Sequence, residues 1–397
     1  MMKTNRLFVD IHVIQTLPPS NMNRDDTGSP KTAQYGGVLR ARVSSQAWKK
    51  AMREYFREYG GTHNVGVRTL EVVKYVAEKM LKIDASLELE NAMRLADNTL
   101  NKAGIKTKEM RAKALFFLGN SQATELAQAA INNVDDKEVL QAIIKSNPAI
   151  DIALFGRMLA DDPSLNEDAS AQVAHAISTH AVASEFDFYT AVDDLSSKNS
   201  AGAGMLGTIE FNSSTLYRYA NVAVHELTRQ LGSSEIVVNA LSLFVKAFAN
   251  SLPTGKINTF ANQTLPQAII VTVRDDRPIS MVSAFEKPVK SSNGYVEKSI
   301  EQLSKEFKNV ERFIDKPLFT FYVTVNDTMA LNEIGERDRP HAAKYRIGDD
   351  NDAHNEHRYR GIPSGKPLQD GPHGDNLRRT HHHGVQRRYQ SRDYAGL

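Results

Sequence analysis

The chain has 397 residues, 41% of them apolar and 24% charged, with a formal net charge of +2 and no cysteine. This is the composition of an ordinary soluble chain of about two or three domains; it excludes disulfides and thiolate metal sites, and leaves any affinity for nucleic acid to local patches of charge. No apolar run approaches the roughly 20 residues of a membrane span, and no signal-peptide core follows Met1, so a cytoplasmic protein without membrane association is expected.

Leu7 to Leu17 reads as a buried strand, with β-branched and aromatic side chains at Phe8, Val9, Ile11, Val13 and Ile14. Residues 17–53 follow as a long, punctuated connection. It carries a turn-forming run at Pro18-Pro19-Ser20-Asn21, then Asn23-Arg24-Asp25-Asp26, a Gly36-Gly37 pair, and the basic alternation Arg40-Ala41-Arg42-Val43. Connections this long inside a compact domain are usually functional or disordered, and this one reads as a loop that grips an anion. Ser44 or Ser45 caps a helix over 44–57. Trp48, Ala51, Met52, Tyr55 and Phe56 share one face of it, and Gln46, Lys49, Lys50, Arg53 and Arg57 the other. Such a basic face is either simply solvated or binds phosphate. The neighbouring Lys31, Arg40 and Arg42 favour phosphate, as does the affinity of helix N-termini for anions.

Residues 66–148 read almost wholly as helices, over Val67 to Met80, Glu88 to Ala103, Thr107 to Phe117, Gln122 to Asn132 and Lys137 to Ser146, and form a helical insertion. Segment 184–214 changes character. Glu185 to Leu195 alternates, Ser196 to Gly204 is a flexible tip, and Thr208 to Phe211 returns as a second hairpin arm. Then follow a strand from Tyr217 to Val224, a helix from Ser234 to Asn250, a strand from Gln267 to Val273, a helix from Val296 to Phe313 and a strand from Leu318 to Val325. The β-α-β-β-α-β-like order predicts an α+β fold with an RRM- or ferredoxin-like sheet. The last stretch, 331–397, is basic, holds seven of the twelve histidines, and has too few aliphatics for a core; it reads as disordered.

As an enzyme the sequence offers little: there is no P-loop, no GxSxG elbow and no HExxH. Asp25 or Asp26 could hold a divalent ion beside RNA and cut it, or could simply pair with Arg24. His175 and His180, read as helical, lie about 140° apart and share no metal well. The run His381-His382-His383 reads as incidental. No cofactor and no metal site are expected. Met158, Tyr189 and Leu206, taken alone, read as core residues.

The motif N-R-D-D at 23–26, Y-G-G at 35–37 and R-A-R-V-S-S-Q at 40–46 resembles the CasC family, the repeated backbone subunit of type I-E CRISPR Cascade complexes. So do D-I-A-L-F-G-R-M at 151–158, A-H-A-I-S-T-H at 174–180, T-A-V-D-D-L at 190–195, Y-R-Y-A-N at 217–221 and M-V-S-A-F-E-K-P-V at 281–289, in the same order over residues 6–325. The resemblance implies a palm (1–60 and 215–330), a helical fingers insertion (61–183) and a protruding thumb hairpin (184–214). It implies copies polymerised head-to-tail along guide crRNA, beside other Cascade subunits, with target DNA reached through the guide. RNA contacts would come from Arg24, Lys31, Arg40, Arg42, Gln46, Lys49, Lys50 and Arg53. Met158, Tyr189, Thr190 and Leu206 would sit beside a base flipped out at regular intervals. The reading is a non-enzymatic RNA binder; a ribonuclease and an RNA-free assembly scaffold are the alternatives.

Overall fold

The computed structural model describes residues 6–61, 64–159, 162–191 and 206–324. The chain opens on β1 (Phe8–Ser20), thirteen residues long. Pro18 and Pro19 therefore end a strand and form no turn; lacking N–H donors, they coincide with a slip in pairing register between Leu17 and Ser20. The expected long loop is also shorter than the sequence suggests. Beyond a loop over 21–31, the chain forms a hairpin of β2 (Thr32–Tyr35) and β3 (Val38–Val43). Gly36 and Gly37, at φ +60° and +77°, make its two-residue turn. A Cβ at Gly36 would lie 1.7 Å from the carbonyl oxygen of Glu286, so the backbone of a distant segment also requires glycine there. Helix α1 (Ser45–Tyr59) is capped by Ser44, whose hydroxyl accepts from the Ala47 N–H, and it buries Trp48, Ala51, Met52 and Phe56 as the periodicity predicts.

The insertion departs from an all-helical reading at two places. The predicted helix from Val67 begins instead as β4 (Val67–Thr69), followed by α2 (Val72–Ile83) and α3 (Leu89–Lys102). The predicted helix over Thr107 to Phe117 is extended: β5 (Thr107–Lys108), β6 (Arg111–Ala112) and β7 (Phe116–Leu118). Glu109 and Met110 turn the chain with positive φ between β5 and β6, and β7 pairs with β4. Helices α4 (Asn120–Ile131), α5 (Lys137–Lys145) and α6 (Ile150–Phe155) complete the unit. Val76, Met80, Leu100, Leu126 and Ile144 belong to a buried cluster separate from that of the main sheet.

The chain then returns to the main sheet through β8 (Ala171–Val173) and β9 (Ala176–Ser178), so His175 and His180 lie on extended chain and not on a helix. The hairpin is β10 (Glu185–Thr190) against β11 (Leu206–Ala223). Its expected tip at 196–204 lies outside the described residues, as does the expected tail at 331–397. Strand β11 runs eighteen residues without a break, so the second hairpin arm and the predicted strand from Tyr217 are one element. Helix α7 (Val224–Leu231), unforeseen, ends at Gly232 with φ +69°. Helix α8 (Ser234–Asn250), the short α9 (Ile257–Phe260), β12 (Ala268–Arg274), α10 (Val296–Val310) and β13 (Phe319–Thr324) follow.

The fold is mixed α+β around one large antiparallel sheet, ordered β13-β12-β1-β11-β9-β3-β2, with β8 and β10 also paired to β11. Both sheet faces are covered, so β1 is buried along most of its length, the polar Asp10, His12 and Gln15 included. Ile11, Val13 and Leu17 pack with Trp48, Met52, Phe244 and Phe248 on one side, and Ile14 packs with Tyr217, Ile270, Phe285 and Leu303 on the other. The hairpin is thus the far end of the strand that pairs with β1, anchored by core packing at its root.

Candidate nucleic-acid interface

Loop 21–31 is held in shape by its own side chains. Asn23 accepts from the backbone N–H of Ser44 at 2.8 Å, which ties the loop to the start of α1. Asp25 accepts from the Thr27 hydroxyl (2.7 Å) and from the N–H groups of Thr27 and Ser29 (3.0 Å each). These bonds, the Thr27 hydroxyl foremost, hold its carboxyl below the usual range. Asp25 therefore closes the loop. Arg24 and Asp26 are exposed, and Arg24 forms no ion pair among the described residues.

The two arginines of β3 share a sheet face but have different surroundings. Arg40 is fully buried. It donates to the carbonyls of Tyr35 (3.1 Å), Ser178 (2.9 Å) and Phe285 (2.8 Å). Expected from the sequence as an RNA contact, it is instead found covered by segment 282–286, its guanidinium stapling three stretches of chain. Arg42, one pair further along the strand, is only half-buried; it donates from Nε to the Thr32 carbonyl (2.9 Å) and from Nη1 to His175 Nδ1 (3.0 Å). Arg42, Lys31, Asn23 and Asn212 line a cleft between the loop, β3 and the root of the hairpin.

On α1, Gln46 and Lys50 are exposed, and Lys50 meets only the half-exposed Glu54 at 3.5 Å. Lys49 is half-buried with its ammonium 5.6 Å from the centre of the Phe155 ring, and burial lowers its pKa. Arg53, also expected as an RNA contact, is found in a buried pair. Its Nε donates to Asp151 at 3.0 Å, and its guanidinium lies 4.2 Å from the centre of the Phe117 ring. The other Asp151 oxygen accepts from the Gly66 N–H at 2.7 Å. Burial raises the Asp151 pKa, offset only in part by these two donors. Arg53 thus joins α1 to α6 and to the chain at Gly66.

The apolar candidates are not core residues. Met158 is 86% exposed and Leu206 62%. Tyr189 and Thr190 are exposed, and Tyr189 lies over Gly207, where an added Cβ would come within 2.3 Å of the ring. Phe186 and Phe188, also exposed, were not singled out by sequence; alternation along β10 puts both on the face opposite Tyr189, a signal that was available. His180 is buried, stacked on Tyr295 with ring centres 3.7 Å apart, and accepts from the Thr215 N–H. Among the described residues no group of three His, Cys, Asp or Glu is placed to hold a metal, and no helix is long and apolar enough to cross a membrane.

The profile of the CT1975-like protein family matches residues 9–342. A solved chain described as a CRISPR RNA-guided surveillance complex, pre-nicking, is 34% identical; the match covers 82% of this chain and 94% of that one, with a TM-score of 0.70. A second, described as a CRISPR RNA-guided surveillance complex, is 32% identical over 82% and 91% of the two chains, with a TM-score of 0.55. No curated protein matches significantly.

Proposed function

Since the chain belongs to the CT1975-like family of CasC-type Cascade backbone subunits, we propose that it binds guide crRNA without reading its sequence. In this reading it is the backbone of a type I-E surveillance complex in the cytoplasm and serves antiviral defence. Copies assemble head-to-tail along the guide into a helical filament, a heterologous contact that does not close, and other Cascade subunits join it. The guide is held by its backbone, so its bases stay free to pair with target DNA. The main sheet is read as an RRM-like palm, the helical unit as fingers and the β10–β11 hairpin as the thumb.

The observation that carries this reading is a set of accessible cations on the loop, β3 and α1, together with exposed apolar side chains on the hairpin. Arg24, Lys31 and Arg42 lie on the loop and β3, Gln46, Lys49 and Lys50 on α1, and Tyr189, Thr190 and Leu206 on the hairpin. Phosphate contacts plus apolar faces for bases are what a sequence-tolerant single-strand binder needs. The protein performs no chemistry in this reading, and Asp25, engaged by Thr27 and Ser29, serves to close the loop. The test is binding of unrelated single-stranded RNAs by Lys31→Ala and Lys49→Ala. Affinity should fall equally for all sequences, and each substitution should reduce the log–log salt slope by roughly 0.7. An unchanged slope would make this surface merely solvated.

A further inference from the structure

Everything that orients the half-buried Arg42 by hydrogen bonds is neutral. Its Nε donates to a backbone carbonyl, that of Thr32, and its Nη1 to an imidazole, that of His175. No carboxylate pairs with it, and no bond is formed by its Nη2 among the described residues. A guanidinium held by neutral acceptors meets no counter-charge in these bonds, and its Nη2 is left to donate elsewhere. Because arginine donates at every N–H, the 3.0 Å contact requires His175 Nδ1 to be the unprotonated acceptor. The surroundings agree: burial first, then Arg42 and Lys31, lower the His175 pKa and keep the ring neutral. The ring is placed by the short link between β8 and β9, and the pairing of β9 with β3 sets Arg42 opposite Ile177, two residues on.

We infer that His175 is a positioning residue for RNA binding: its neutral imidazole aims Arg42 at a backbone phosphate by accepting a hydrogen bond, and its own charge takes no part. This rests on the reading of Arg42 as a phosphate contact. The rival role, His175 as a further cation against phosphate, predicts the opposite response to a lysine.

The experiment is fluorescence anisotropy of a labelled single-stranded RNA with the full chain at pH 7.5 over a salt series. His175→Ala should weaken binding about three- to tenfold, the scale of one lost orienting bond. His175→Gln, which keeps an acceptor, should restore most of it; His175→Lys, which adds charge but removes the acceptor, should bind no better than His175→Ala. In an Arg42→Ala background His175→Ala should have no further effect, since the two act as one unit. Tighter binding by His175→Lys, failure of His175→Gln to rescue, or additive losses in the double variant would overturn the inference and leave the RNA-binding reading intact. Arg42→Ala and Arg42→Lys both binding as wild type with an unchanged salt slope would overturn the inference together with the reading of Arg42 as a phosphate contact. Melting curves identify any variant that fails to fold, and the exposed position of His175 leaves its three variants able to carry the test.

Discussion

At the scale of the residue, the chain divides its cations between structure and surface, and the division does not follow sequence position. Lys50 and Arg53 sit three apart on one basic helix face, yet Lys50 is 73% exposed beside Glu54 while Arg53 is 15% exposed against a fully buried Asp151. Removing one partner of a buried pair leaves an uncompensated charge. Asp151→Ala or Arg53→Ala should therefore lower unfolding free energy by about 3–5 kcal/mol, against about 0–1 kcal/mol for Lys50→Ala, measured by urea denaturation. Similar losses for the three variants would remove the structural role assigned to Arg53. Asp10 gives a second test. It is buried in the central sheet and accepts from the Tyr219 hydroxyl and the Ile279 N–H, yet desolvation raises its pKa to about 7. The folded state then retains a proton that the unfolded chain releases, so this group costs stability increasingly as pH rises from the ordinary carboxylate range to about 7. Asp10→Asn should stabilise the protein more at pH 8 than at pH 5; an equal effect at both would place the Asp10 pKa near its ordinary value.

At the scale of the element, much was legible because local pattern and tertiary packing agree. Trp48, Met52 and Phe56 fix the buried stripe of α1, Ser44 its start, and Ser234 to Asn250 matches α8 at both ends. What sequence missed was set by partners far along the chain. Arg40 and Arg42 look equivalent, and only the segment around Phe285 makes one a staple and leaves the other open. Thr107 to Phe117 has helical spacing, but its pairing with β4 and the turn at Glu109-Met110 override that propensity. Leu206 taken alone reads as core yet is exposed, and the aromatic pair Phe186 and Phe188 was passed over although its alternation was plain. The β2–β3 turn gives the prediction at this scale. Gly36→Ala meets both a positive φ and the Glu286 carbonyl, and should cost at least about 2 kcal/mol; Gly28→Ala, with open space at its φ of +93°, should cost only the backbone strain, about 1–2 kcal/mol. Equal losses at the two sites would mean that the close approach of Glu286 has no energetic weight.

At the scale of the whole molecule, the central sheet and the hairpin are one continuous object, since β11 supplies both the core strand beside β1 and one arm of the projection. A contact made at the far end of β11 is thereby referred to the same strand that meets the loop edge at Ser20 and Asn212. That is the arrangement a repeating subunit requires if it holds RNA with one part and overlaps its neighbour with another. The most direct test is nuclease digestion of a long single-stranded RNA saturated with the purified chain. The account predicts continuous protection in fragments that grow by a constant step as more copies bind, the same for unrelated sequences. RNA left fully digestible, or RNA cut by the chain itself when no nuclease is added, would contradict it.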